Sequence, residues 1–190
     1  EAPNLYTLKL FSEGEVIFEE VGFRNVKIDG KVFKINGEAI KLKGVNRHDF
    51  SPVNGRAITA EEIEQDIITM KRLNINAVRT SHYPNDPIFY DLCDKYGLYV
   101  LAEANVECHA DMGLSSVEKF RDAMVERSHN HVKWMRNHVS IFMWSFGNES
   151  GRGNNFQYVS NAIKALDKTR DRTFRKSRRS HEEASQGVQT

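Results

Sequence analysis

Four places in the chain put side chains able to do acid/base or hydrogen-bond chemistry at the end of an apolar run. The most pointed is Ile141 to Ser150, read I-F-M-W-S-F-G-N-E-S, where a buried strand delivers Asn148 and Glu149 at its C-terminal tip. A carboxylate there could simply cap the next helix, because acidic residues favour helix N-termini. Asn148 beside it tips the balance toward chemistry. Its amide carries donors and an acceptor suited to gripping a sugar hydroxyl while the neighbouring carboxyl protonates a leaving oxygen. The other three places are Asn46 with His48, Arg79 with His82, and Glu107 with His109.

The elements that must position these groups are legible in order. Leu5 to Val21 alternates as two strands around S-E-G-E. A hairpin of that size is marginal alone, so it is expected to close a β-sandwich whose other strands lie upstream. Phe23 to Lys43 gives two more short strands, V-K-I-D-G-K-V-F-K-I and I-K-L-K-G-V, punctuated by Asp29-Gly30 and Asn36-Gly37. The second runs on into Val45 to Asp49. Thr59 to Glu62 is a capping box, followed by Ile63, Ile67, Met70 and Leu73 at helical spacing. A strand at Asn76 to His82 is next, then a helix from Asp86-Pro87 to its Gly97 stop, and a strand at Leu98 to Asn105. Ser115 to Glu118 reads as a second capping box that opens a helix to about Arg136. The Ile141 strand and a helix carrying Phe156, Val159, Ile163 and Leu166 complete four strand-helix units.

That repetition predicts an α/β fold with a parallel sheet. In a (β/α)8 barrel the strand ends meet on one rim, whereas an open doubly wound sheet spreads them along an edge. No G-x-G-x-x-G follows the first strand, which disfavours a dinucleotide-binding sheet.

The 190 residues hold 27 basic and 26 acidic side chains, a net charge of +1, so no global field points to nucleic acid or to an acidic membrane. Cys93 and Cys108 sit in different elements, which argues for a reduced, cytoplasmic protein. No apolar run is long enough to span a bilayer, and the first residues carry no export signal. The chain begins without Met and is expected to be a fragment.

N-R-H-D at Asn46 to Asp49, R-T-S-H-Y-P at Arg79 to Pro84, A-N-V-E-C-H at Ala104 to His109 and W-S-F-G-N-E-S at Trp144 to Ser150 strongly resemble β-galactosidases of glycoside hydrolase family 2. The likeness is ordered and covers nearly everything from Leu5 to about Thr169. It implies the first half of a TIM (β/α)8 barrel, preceded by the last strands of an immunoglobulin-like β-sandwich domain. The expected division is 1–22 for the sandwich strands, 23–169 for the half barrel, and 170–190 for a polar, basic, disordered tail of unrelated origin.

The resemblance implies a retaining hydrolase acting on β-galactosides such as lactose, with Glu149 as general acid/base and Asn148 on the sugar 2-hydroxyl. His48 and His82 would bind galactosyl hydroxyls, and Arg79 would orient the nucleophilic carboxylate. A homo-oligomeric parent is expected. Glu107 and His109, two apart, would point to one side of an extended segment and share a cation with Glu149. That mixed oxygen and nitrogen set suits Mg2+ or Mn2+, and the family places magnesium there. A plain Glu-His hydrogen bond is the alternative. Retention needs a second carboxylate about 5 Å from the first, which the family draws from a later strand. Glu182 and Glu183 lie in the polar tail with no apolar strand before them. The competing readings are β-glucuronidase or β-mannosidase of the same family, or a non-catalytic remnant. The Glu107-x-His109 pair and His48 favour galactosidase.

Overall fold

The computed structural model describes residues 3–175. Strands β1 (Tyr6–Ser12) and β2 (Glu15–Val21) form the N-terminal antiparallel hairpin, in register from Tyr6 opposite Val21 to Ser12 opposite Glu15. Leu8, Leu10, Phe11, Ile17 and Phe18 are exposed on it. A second antiparallel sheet joins β3 (Val26–Asp29), β4 (Val32–Ile35) and β5 (Glu38–Ala39). Asn36 and Gly37 take positive φ between β4 and β5, as the turn dipeptide requires.

The parallel sheet starts at β6 (Gly44–Arg47), later than the continuous strand expected over Ile40 to Val45. The Asn76 side chain replaces a ladder across the gap: its Oδ1 accepts from Lys43 N–H at 2.7 Å and its Nδ2 donates to the Lys41 carbonyl at 3.0 Å. From there α1 (Ala60–Arg72), β7 (Ala77–Thr80), α2 (Pro87–Tyr96), β8 (Tyr99–Glu103), α3 (Arg121–Met135), β9 (Ile141–Asn148) and α4 (Asn155–Leu166) alternate. With a last strand β10 (Asp171–Arg175), the sheet order is β10-β9-β8-β7-β6, every pair parallel, which is the first half of an α/β barrel.

The caps explain most of these boundaries. Thr59 and Glu62 form the reciprocal box at α1. Asp86 caps α2 with Pro87 in its first turn, and Gly97, at φ 73°, ends it in the left-handed conformation. The box expected at Ser115 is absent. Met112–Ser116 and Glu118–Phe120 are short 3-10 turns, and α3 has no side-chain cap. The Ser115 hydroxyl instead donates to the Met112 carbonyl and accepts from Gly153 N–H, both at 3.0 Å, tying this loop to the approach to α4.

The expected tail boundary also moves. Asp171–Arg175 form a fifth parallel strand, β10, paired with β9 from Asp171 opposite Met143. An edge strand needs only the backbone ladder, so it can form without an apolar pattern. The chain is delivered there by Arg170, which is buried and bonds Asp167 Oδ2 at 2.6 Å and the carbonyls of Ile141, Arg136 and His138 at 2.7 to 2.8 Å. Residues 176–190, the rest of the expected tail, lie outside the described residues.

One face of the sheet packs on the helices. Val78, Val100, Ala102 and Trp144 meet Ile63, Ile67, Phe89, Val132, Val159 and Ile163 in one buried cluster, each large side chain contributing roughly 1.5–3 kcal/mol. Period-two alternation sends Arg79, Leu101, Glu103, Met143 and Ser145 to the other, lumenal face.

His131 lies wholly inside the helix layer, edge-on to Trp144 and 3.4 Å from the Tyr90 hydroxyl. Burial pushes its pKa down to about 3, far below that of an unfolded imidazole. Its neutral form is therefore the one compatible with the fold. The stability it permits is complete above about pH 6.5 and falls as the unfolded chain takes up a proton that the folded chain refuses. Lowering the pH from 8 to about 5 is expected to cost about 2 kcal/mol through this group. Urea unfolding at both pH values, on the chain and on His131→Gln, checks this; an equal pH dependence in the two would refute it.

Candidate active site

The barrel-rim ends of β7, β8 and β9 converge. At β9, Gly147 passes so close to the next loop that an added Cβ would sit 2.1 Å from the Val106 carbonyl oxygen. That approach lets Asn148 N–H bond Val106 O at 3.0 Å and pair with Glu107 in a parallel bridge. Ser150, fully buried, locks the same junction: its hydroxyl bonds the carbonyls of Val106 and Asn148 and accepts from Cys108 N–H at 3.1 Å. Glu149, at φ 44°, is thus thrown out of the strand path and left half-buried.

Asn148 is buried, and both ends of its amide are engaged. Oδ1 accepts from Arg79 Nη2 at 3.0 Å, and Nδ2 donates to Glu107 Oε1 at 3.0 Å. Nδ2 carries a second hydrogen for a ligand.

Arg79, expected to point at a nucleophile, is directed at Glu103. Its Nε meets Oε2 at 2.7 Å and its Nη2 meets Oε1 at 2.9 Å, a two-point clamp. Its Nη1 reaches Asn46 Oδ1 at 3.4 Å. Sequence reasoning missed Glu103. It is 0% exposed, yet it also bonds His82 Nδ1 and the Ser145 hydroxyl, each at 2.6 Å. The available signal was a lone carboxylate closing the apolar run Y-V-L-A-E.

His82 and His48 stand edge to face, with ring centres 5.5 Å apart, and Tyr83 O–H lies 3.2 Å from His48 Nδ1. With Arg56, Asn105 and Glu107 they line one open cleft. Burial, then the nearby His82 and Arg56, lowers the His48 pKa below the ordinary imidazole value, which favours the neutral ring. The other residues of N-R-H-D do structural work. Arg47 is buried against Asp49, Asp66 and Asn85, and Asp49 Oδ2 accepts from Asp86 N–H at 2.7 Å, fixing the start of α2 below the cleft.

Of the three candidate metal donors, the structure joins two. His109 Nδ1 lies 2.5 Å from Glu149 Oε2. Glu107 is held by Asn148 instead, and among the described residues no three His, Cys, Asp or Glu side chains form a group that could hold a cation. The expectation that Glu107 and His109 face one way assumed an extended segment, but His109 is in a turn. As placed, Glu107 stands apart from the His109-Glu149 pair.

Known proteins can now be set beside this geometry. The model for "Glycosyl hydrolases family 2, TIM barrel domain" matches residues 26–188. A β-galactosidase of Priestia megaterium is 44% identical over 187 residues, covering 90% of this chain and 18% of that protein. One from Lactobacillus delbrueckii subsp. bulgaricus is 44% identical, covering 90% and 19%. The chain thus spans under a fifth of the length of these curated relatives. Among solved structures, a β-glucuronidase of an uncultured Clostridium superposes with TM-score 0.84 at 25% identity, over 92% of this chain and 32% of that one. A β-glycosidase from Bacteroides vulgatus gives TM-score 0.77 at 32% identity, over 90% and 24%. With the family model covering most of its length and five parallel strands in barrel order, the chain belongs to glycoside hydrolase family 2 and carries part of its TIM barrel domain.

Proposed function

We propose that this chain supplies the acid/base half of a retaining β-galactosidase, which hydrolyses terminal non-reducing β-D-galactose residues. The observation that carries the reading is the Asn148-Glu149 pair at the C-terminal end of β9, beside a cleft lined by His48 and His82. The 44% identity to β-galactosidases supports the sugar.

Glu149 would protonate the departing glycosidic oxygen and later deprotonate the attacking water. His109, with Nδ1 2.5 Å from Oε2, stands against its carboxyl. The second hydrogen of Asn148 Nδ2 would meet the sugar 2-hydroxyl, while its first stays on Glu107. His48 and His82 would take further hydroxyls. The nucleophilic carboxylate belongs to a later barrel strand.

The donor types of Glu107, His109 and Glu149 suit Mg2+, which would have to part His109 from Glu149 and draw in Glu107. The proposal also includes a cytoplasmic, homo-oligomeric parent; Cys93 and Cys108 are both unpaired, and no described helix is long and apolar enough to cross a membrane.

A second reading, β-glucuronidase, draws on the similar solved structures and on Arg56 in the cleft, a cation able to meet a uronate. A protein completing this barrel should hydrolyse an aryl β-galactoside faster than the matching β-glucuronide or β-mannoside, and chelation should slow it. Faster glucuronide turnover would replace the first reading by the second. Indifference to chelation would remove the metal.

A further inference from the structure

We propose that Glu103 is the positioning residue of the sugar cleft. Its carboxylate fixes His82 with the ring proton on Nδ1, leaving Nε2 as a hydrogen-bond acceptor for the ligand, and it sets Arg79 against Asn148. The identity of the ligand rests on the galactoside reading above; the hold on His82 does not.

The geometry is a count of donors and acceptors. Four groups converge on two oxygens: Arg79 Nη2 at 2.9 Å and His82 Nδ1 at 2.6 Å on Oε1, Arg79 Nε at 2.7 Å and the Ser145 hydroxyl at 2.6 Å on Oε2. A guanidinium only donates, so its two-point contact makes both oxygens acceptors. His82 Nδ1, meeting an acceptor, must carry the proton. Among the described residues Nε2 has no hydrogen-bond partner, and the His82 side chain is 25% exposed at the cleft.

Glu103 itself is placed from below. Its N–H donates to Thr80 Oγ1 at 2.8 Å, and its register partner on β9 is Ser145. A carboxylate with no exposed surface cannot touch substrate, so its influence passes through His82 and through Arg79, whose Nη2 also holds Asn148 Oδ1 at 3.0 Å. One side chain thereby orients groups from the ends of β7 and β9 together.

The test is long-range 1H–15N correlation, at pH 7 to 8, of a 15N-histidine-labelled protein that completes this barrel, with methyl β-D-thiogalactoside as probe. Wild type should show His82 with Nδ1 protonated and Nε2 bare, and the probe should shift Nε2. Glu103→Gln should move protons from Nδ1 toward Nε2 and weaken the probe at least about tenfold, the scale on which outer partners of a site act. Ser145→Ala, which spares both the Arg79 and His82 contacts, should keep the wild-type tautomer. Wild-type His82 protonated on Nε2 overturns the proposal even if Glu103→Gln does not fold, as does an unchanged tautomer in that variant. A wild-type tautomer as expected, with no response to the probe, overturns the galactoside reading and keeps the hold of Glu103 on His82.

Discussion

Glu149→Gln, made in a protein that completes the barrel, is expected to slow hydrolysis of substrates with poor leaving groups by at least about a hundredfold, the usual contribution of a positioned general acid. The substitution keeps the shape of the side chain and its place at the rim, where φ is 44° and Ser150 pins the backbone on either side. What it removes is the transferable proton. A glycosidic oxygen that departs as a sugar alkoxide needs that proton in the transition state, whereas an activated phenolate leaves without it. First-step rates on lactose and on a nitrophenyl galactoside should therefore separate, the first falling far more. Equal losses on both would mean that Glu149 binds or orients rather than donates. Gln also weakens the 2.5 Å contact with His109, so some loss on both substrates is expected as well.

The parts of this site that could be read from sequence are those whose signal is local. Thr59 and Glu62 announce a helix because a capping box spans four residues, and Asn148-Glu149 is conspicuous because an apolar strand stops there. Glu103 is different. Its meaning lies in parallel pairings between β7, β8 and β9, which bring Arg79, His82 and Ser145 to it from 21 to 42 residues away. Nothing within its own strand says whether a lone carboxylate faces solvent or a guanidinium. Glu107 stands apart from His109 and Glu149 for a related reason. An i, i+2 argument holds only while the backbone stays extended, and after Glu107 the chain turns at His109. The fifth strand was unreadable because edge pairing through Asp171–Arg175 uses backbone groups and needs no hydrophobic period. Ser115 was misread because a Ser with a Glu three residues on fits a helix start, while here its hydroxyl bonds across the chain to Gly153.

The 190-residue chain by itself is expected to show no turnover of an aryl β-galactoside, although it carries Glu149, Asn148 and the His48-His82 cleft. Its described parallel sheet runs from β6 to β10, and both of these are edges. A (β/α)8 barrel closes by pairing its first strand with its eighth, so three further strands are needed before the rim is continuous. Leu101 and Met143, register partners on the lumenal face, remain only half-buried, as expected of a wall without its opposite wall. The chemistry is incomplete in the same way. Retention requires a nucleophilic carboxylate about 5 Å from the acid/base, on the other side of the sugar, and the Glu149 carboxyl here meets His109. Supplying the remaining strands in trans should restore turnover if the two halves assemble, and the restored rate should vanish with Glu149→Gln. Turnover by the purified, monodisperse chain alone, abolished by Glu149→Gln and so not owed to a contaminating enzyme, would show that these residues furnish both carboxylates and that the half barrel is a sufficient scaffold.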